Sequence, residues 1–312
     1  MPKKISGEAK RPSFAESIVD IQKRVAQKQL ERERQRKRKL RKRTYKYLPY
    51  LISYLDVLGM KDLLNESGED ANKVAEVLGH FRDFSTPMDD QKKLWKSAFV
   101  SFSDLGLRIL PILTDANLKY QLGCFFHEVM DLGYIQVNLV NRGILVRGGL
   151  TLGYLCHKKG LVFGPGLVDA HHLESKLAQF PRIIVSESAI EALKETPVLR
   201  GEGNSFQEEM SYLKRFLRKD QDGLWFLDYL TIIRSEKDTD QQYAQFLEHH
   251  KALIEKQRCE VAALPPGEYR RSRQQKLKWL IQLHRHHIAE LDPDNFFELT
   301  GVRLSSLRVR ER

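Results

Sequence analysis

Apolar residues along this chain fall into short runs separated by polar and glycine-rich stretches. "YLISYLDV" (Tyr50 to Val57) predicts a strand, and "SAFVSFSDLGLRILPI" predicts two, broken into a hairpin at Asp104 to Gly106. "DANLKYQLGCFFHEVMDLGY" carries Phe125, Phe126 and Val129 at helical spacing. "NRGILVRGGLTLGYLCHKKGLVFGPGLV" is strand-rich with a turn near Lys158 to Gly160, and the glycines of "RGGLTLG" predict close packing within the sheet. "GLVDAHHLESKLAQF" predicts a helix stopped by Pro181, and "RIIVSESAIEAL" a strand followed by a helix. A Gly/Pro-containing connector, "ETPVLRGEGNS", leads to "FQEEMSYLKRFL", "QQYAQFLEHHKALIEKQRCEVAAL" and "SRQQKLKWLIQLHRHHIAEL", all with helical spacing. At the other end, Ser13 with Glu16 three residues later opens a stretch without Gly or Pro, apolar only at Ile18, Ile21, Val25 and Leu30. The pattern predicts an α+β protein: a disordered tail at 1–12, a long basic helix over 13–47, a sheet covered by helices over 48–200, and a helical C-terminal appendage over 205–312.

Charge sharpens that division. The chain carries +11, yet residues 1–47 alone hold 17 Lys and Arg against 5 Asp and Glu, so everything after them is near neutral. Between Phe14 and Tyr45 the basic segment has no interleaved aromatic, which argues against specific nucleic-acid recognition. With 41% hydrophobic and 30% charged residues, a start lacking the apolar core of a secretory signal and no run long enough to span a bilayer, a cytoplasmic globular protein is expected. Cys124, Cys156 and Cys259 are odd in number and widely spaced, excluding a disulfide framework and a zinc knuckle.

The candidate chemistry lies in two acids. Asp56 ends the first predicted strand, and Asp104 sits on the hairpin. Taken alone, each reads first as a turn or capping residue. As a pair on neighbouring strands they could hold divalent cations that clamp a triphosphate. His284 and His287 have a spacing that two metal ligands on one helix would use, but polar helix surface is the simpler reading for them and for His249, His250 and His286.

The residues around the acids resemble the catalytic domain of class III nucleotide cyclases. "LDVLGMK" (Leu55 to Lys61) is similar to the family's first metal motif, "SFSDLGLRIL" to its second, "LVRGGLTLG" to the strand that follows, and "VFGPGLVDAHHLES" with "RIIVSESAI" to its later helix and strand. The motifs run in the family's order over about residues 48–195. The resemblance implies a class III cyclase-like sheet, two divalent cations with Mn²⁺ ahead of Mg²⁺, and a metal site of Asp56, Asp104 and the carbonyl of Val57. It also implies that the amides of Leu58, Gly59 and Met60 meet the triphosphate. The positions that read a purine base are Val100 and Leu161, neither of which can hydrogen-bond a purine edge. The family's transition-state Asn and Arg fall on Val168 and His172, so His172 is a candidate catalytic cation, with Arg108, Lys176 and Arg182 as alternatives.

These departures, with "FSD" and "RGG", resemble the pyrimidine cyclases of the Pycsar anti-phage systems. "DQDGLWFLDYL" and "KLKWLIQLHRHH" are similar to the C-terminal helices of that branch. The resemblance implies conversion of UTP, ahead of CTP, to a 3′,5′-cyclic nucleotide that activates a separate sensing effector in antiviral defence. It further implies a homodimer whose active sites are shared; the run lengths and the basic segment's composition predict no membrane partner and argue against a nucleic-acid one. Two other readings stay open from the residues: a silent cyclase-like nucleotide-binding module, and a nucleic-acid-associated protein acting through residues 20–46.

Overall fold

The computed structural model describes Gln27, residues 30–34 and residues 45–309. Gln27 and residues 30–34 are helical and exposed. The remainder of the basic helix expected over 13–47, and the tail at 1–12, lie outside the described residues, and residues 45–47 are not helical.

Strand β1 (Leu48–Val57) leads into helices α1 (Met60–Ser67), α2 (Asn72–Ser85) and α3 (Asp89–Trp95), then the hairpin β2 (Ala98–Phe102) and β3 (Leu105–Pro111). Helices α4 (Asp115–Tyr120) and α5 (Cys124–Asn141) precede the long β4 (Val146–Lys158), which turns into β5 (Leu161–Phe163). Helix α6 (Pro165–His172) continues through a π-helical turn at Leu173–Leu177 to β6 (Ile183–Val185) and α7 (Glu187–Glu195). After α8 (Phe206–Leu213) come β7 (Leu217–Lys219) and β8 (Trp225–Leu227), and then α9 (Tyr229–Glu236), α10 (Asp240–Ala263), α11 (Glu268–Ala289), α12 (Pro293–Thr300) and α13 (Leu304–Leu307).

The strands form one mixed sheet in the order β2-β3-β1-β4-β6-β8-β7, with β5 paired to β4. All pairings are antiparallel except β4 with β6. Alternation along β1 assigns its two faces. Leu51, Leu55 and Val57 join the large core with Phe125 and Val129 of α5, whereas Tyr50 and Ile52 pack with Leu107, Ile109, Leu155 and Ala170 of α6. Asp56 therefore belongs to the α6 face. Close approach of α6 and the π-helical turn depends on the glycines of β4. A Cβ on Gly149 would stand 2.4 Å from Leu173 Cβ, and one on Gly153 would stand 2.5 Å from Gly166 Cα.

Three expectations need correction. The single helix expected over "DANLKYQLGCFFHEVMDLGY" is two, because Gln121 and Gly123 adopt positive φ of 42° and 68°. The C-terminal region is not a separate helical appendage. Its "DQDGLWFLDYL" lies on the β7–β8 hairpin and the start of α9, the hairpin extends the main sheet through β6, and Phe246, Leu247, Trp279, Leu280 and Leu283 of α10 and α11 join the large core. Strands of three residues are too short to display an alternating pattern, which is why the hairpin reads as helix-flanking sequence.

The third correction concerns the histidines. His250, His284 and His287 are buried, while His249 and His286 are exposed. His284 Nε2 donates to the carbonyl of Leu307 at 2.9 Å, so in the neutral ring its Nδ1 accepts from His250 Nδ1 at 2.9 Å, and His250 Nε2 accepts from the Tyr229 hydroxyl at 2.7 Å. Burial pushes the pKa of both His250 and His284 down, favouring these neutral forms. His287 Nε2 donates to both oxygens of Asp228 at 3.0 Å, and Arg218 donates to the same carboxylate at 2.9 Å. Burial would raise the Asp228 pKa, but these partners outweigh it and hold the carboxyl at about 2. The network is a weld between α9, α10 and α11. Among the described residues no group of three His, Cys, Asp or Glu forms a metal cage.

Candidate active site

The acids meet at one end of the sheet. Asp56 stands opposite Leu105 on β3 and Arg147 on β4, and the amide of Val57 donates to the carbonyl of Asp104 at 3.0 Å. The β2–β3 turn, with Ser103 at a φ of 55°, thus sets Asp104 beside the end of β1. Arg147 Nε donates to Asp56 Oδ2 at 2.9 Å, while its Nη2 forms an ion pair with Glu174 Oε1 at 2.8 Å. That second contact lacks hydrogen-bond alignment and leaves the buried Oε1 without a hydrogen bond. The π-helical turn at Leu173–Leu177 is the element that brings Glu174 inward.

Negative charge exceeds what Arg147 can neutralise. Burial and the charges of Asp56 and Asp104 push Glu174 up to about 7, against the opposing pull of Arg147. Burial, followed by the charge of Asp104, raises the Asp56 pKa in spite of Arg147. Tyr54 lies on the same face of β1 as Asp56, and burial, then the charges of Glu174, Asp56 and Asp104, raise its pKa too. A divalent cation fits this donor set. Two carboxylates and unbalanced negative charge suit a hard cation that keeps positions for water or phosphate oxygens, and such a cation would share Asp56 with Arg147.

Immediately after β1, Gly59 takes a φ of 84° and opens α1. The amide of Leu58 donates to the carbonyl of Leu145 at 2.8 Å, so it is committed to the fold and is not available to a phosphate. The amides of Gly59 and Met60 find no acceptor among the described residues, as expected for the first turn of a helix. Asp62 in that turn is held by Arg273 of α11 at 2.6 Å and by the Tyr269 hydroxyl.

Other expected site residues lie elsewhere. Arg108 alternates to the opposite face of the sheet, where it is buried. It donates to Glu128 through Nε and Nη2 at 3.0 and 2.9 Å, to Asp131 at 2.8 Å and to the carbonyl of Ser85 at 2.7 Å. It is a structural cation and cannot act at Asp56. Arg182 is fully buried and bound to Asp220 and Asp222 of the β7–β8 turn. Lys176 and His172 are exposed, and the helix turns Glu174 rather than His172 toward Arg147. Val100 shares a cross-strand row with Leu107 and Tyr54 on the Asp56 face, 43% exposed. Leu161 pairs with Lys158 at the far end of β4 from Arg147. At 13 residues that strand is roughly 40 Å long at ~3.3 Å per residue, so within one chain Leu161 stands away from the acids. Val168 is 67% exposed on α6.

The residues not anticipated are Arg147, Glu174, Tyr54 and Arg273. The first two sit inside "LVRGG" and "HHLES", where a charged residue next to glycines or on an otherwise apolar helix end was the available signal.

No family model matches the chain, and no curated protein matches it. Among solved structures, a class III adenylyl cyclase-like ATP-binding protein from Pseudomonas aeruginosa is similar over 54% of this chain, with 11% identity and a TM-score of 0.35. The match covers 41% of that protein's length. A likeness of this size assigns neither a family nor an activity.

Proposed function

We propose that the chain is a nucleotide cyclase that converts a pyrimidine nucleoside triphosphate, UTP ahead of CTP, to the 3′,5′-cyclic monophosphate and pyrophosphate. The observation that carries this reading is the meeting of Asp56 and Asp104 at one sheet end beside the open amides of Gly59 and Met60. Asp56, Asp104 and the carbonyl of Val57 would hold two divalent cations, Mn²⁺ ahead of Mg²⁺, which supply Lewis-acid stabilisation of the attacking and leaving oxygens. Arg147 orients the Asp56 carboxylate by its Nε bond. Gly59 and Met60 offer amides to phosphate oxygens. In the reaction the 3′-oxygen bonds to the α-phosphorus, the bond to the bridging oxygen breaks, pyrophosphate leaves with the electron pair, and the hydroxyl proton passes to water.

Val100 and Leu161 in place of hydrogen-bonding groups support a pyrimidine over a purine. The separation of Leu161 from the acids suits a homodimer in which each base is contacted by the partner chain, and Phe102, 82% exposed on β2, offers apolar surface for such an arrangement. The cyclic product is assigned to a second-messenger role in antiviral defence, read by a separate effector, on the sequence resemblance alone.

A second reading, a silent nucleotide-binding module, is favoured by one observation: the ion pair of Arg147 with Asp56 satisfies one oxygen of the first acid without a metal. Incubating the protein with Mn²⁺ and each of the four nucleoside triphosphates, with products resolved by mass spectrometry, separates the two. A cyclic monophosphate from UTP or CTP supports the cyclase; tight nucleotide binding without product supports the module.

A further inference from the structure

A separate acid-bearing place lies at the N-terminal end of α5. The connector between α7 and α8 crosses there, pairing Gly201 with Leu122 in an isolated bridge. Leu122, Phe126 and Tyr212 line a cavity of about 220 Å³ at this crossing, together with Asn204 and Glu209. The space is smaller than the roughly 300–1,000 Å³ of a drug-sized ligand site. Tyr212, 46% exposed, stands at its mouth.

Glu209 of α8 is only 2% exposed, and its two carboxylate oxygens are used unequally. Oε2 accepts from the amide of Gly201 at 3.2 Å and from Asn204 Nδ2 at 2.8 Å. Oε1 lies 3.8 Å from where a Cβ on Gly123 would be, and it accepts from none of the described residues. Glu209 also makes no ion pair among the described residues. Arg200, on the same connector, gives its guanidinium hydrogens to the carbonyls of Leu193, Lys194 and Asn204 instead. The N-terminus of α5 offsets part of the negative charge, but a carboxylate this deeply buried is ordinarily paired with a cation. Its open oxygen calls for a ligand that brings both a positive charge and a donor hydrogen.

We infer that this cavity binds a small organic cation, an alkylammonium that donates to Glu209 Oε1 and lays its carbon chain on Leu122 and Phe126. The aromatic rings of Phe126 and Tyr212 add attraction for the cation at their faces. The buried carboxylate excludes anions, and the volume excludes large ligands. Gly201 keeps the polar wall in place, because a Cβ there would stand 2.8 Å from Asn204 Nδ2, the donor that fixes Glu209 Oε2. The site does not involve Asp56 or Asp104 and is independent of the proposed reaction.

The test follows the backbone amides of Leu122, Gly201 and Asn204 by NMR in the full chain during titration with n-butylammonium chloride, and with 1-butanol as the uncharged counterpart, at constant ionic strength. Butylammonium should shift these amides and saturate in the millimolar range, and butanol should hardly move them. Glu209→Gln, which keeps an acceptor for Gly201 and Asn204, should weaken binding about 10–100-fold, as loss of a charge-assisted contact does. Tyr212→Ala should weaken it about 2–5-fold. Glu202→Gln, at an exposed acid on the same connector, should bind like the wild type. Thermal melting checks that each variant is folded; should Glu209→Gln unfold, the contrast between butylammonium and butanol on the wild type decides alone. Equal shifts from the two compounds, undiminished binding by folded Glu209→Gln, or no saturable shift in the wild type would overturn the inference.

Discussion

Both faces of the sheet carry an arginine between two carboxylates, and the two clusters differ in how completely they are satisfied. On the α5 face Arg108 makes four hydrogen bonds to Glu128, Asp131 and Ser85, and Ser53 adds a fifth to Glu128 at 2.8 Å. Both ends of its ion pair with Glu128 are sealed from solvent, at 3% and 2% exposure. On the α6 face Arg147 is 24% exposed, Glu174 Oε1 lacks a hydrogen bond and Asp104 adds another negative charge. A closed buried ion pair holds structure together; an open one with surplus charge has capacity left for a ligand.

The comparison can be broken most severely at its closed side. Arg108→Met leaves Glu128 and Asp131 buried without their cation and should cost about 3–5 kcal/mol of stability, measured by denaturant unfolding. Turnover per folded molecule should be unchanged. If Arg108→Met instead kept full stability and lost turnover, the roles of the two clusters would be reversed.

At the open side, Asp56→Asn or Asp104→Asn should lower turnover by about 10²–10³-fold, the effect of losing several kcal/mol of charge stabilisation. The melting temperature should barely move, because burial and the second acid already disfavour the charged Asp56. Kinetics and thermal melting on the same samples check both halves.

A smaller effect probes the packing that carries Glu174 inward. Gly149→Ala places a methyl 2.4 Å from Leu173 Cβ and should cost about 1–3 kcal/mol by overpacking, with a loss of activity larger than the loss of folded protein.

The mildest test is pH. His250 and His284 are neutral in the fold with lowered pKa values, whereas an unfolded histidine takes up its proton near pH 6.5. Protonation therefore favours the unfolded chain, so their contribution to stability is complete above about pH 6.5 and declines as the pH falls below it. The melting temperature should drop between pH 7.5 and 5.5. A further loss should appear between about pH 4 and 2 as Asp228, held at about 2, takes up its proton.

What could be read from the sequence was local. The apolar run "YLISYLDV" marks β1 and puts Asp56 near its end, and "SFSDLG" marks the turn that carries Asp104. Arg108 was misassigned because its face depends on register: with Asp56 opposite Leu105, alternation places Arg108 opposite Ser53 and toward Glu128. The buried histidines read as surface because their partners, Asp228, Tyr229 and Leu307, come from other elements. The contribution of α11 depends on contacts such as Arg273 with Asp62, separated by 211 positions, which no local pattern encodes.

The most direct test of the contrast between the clusters is an electron paramagnetic resonance titration of Mn²⁺ with the protein and a non-hydrolysable UTP analogue. The free-Mn²⁺ signal should fall on adding wild-type protein or Arg108→Met, and persist with Asp56→Asn or Asp104→Asn. A signal that falls equally with the Asp variants, or that persists with the wild type, would contradict the assignment of these acids as the metal site.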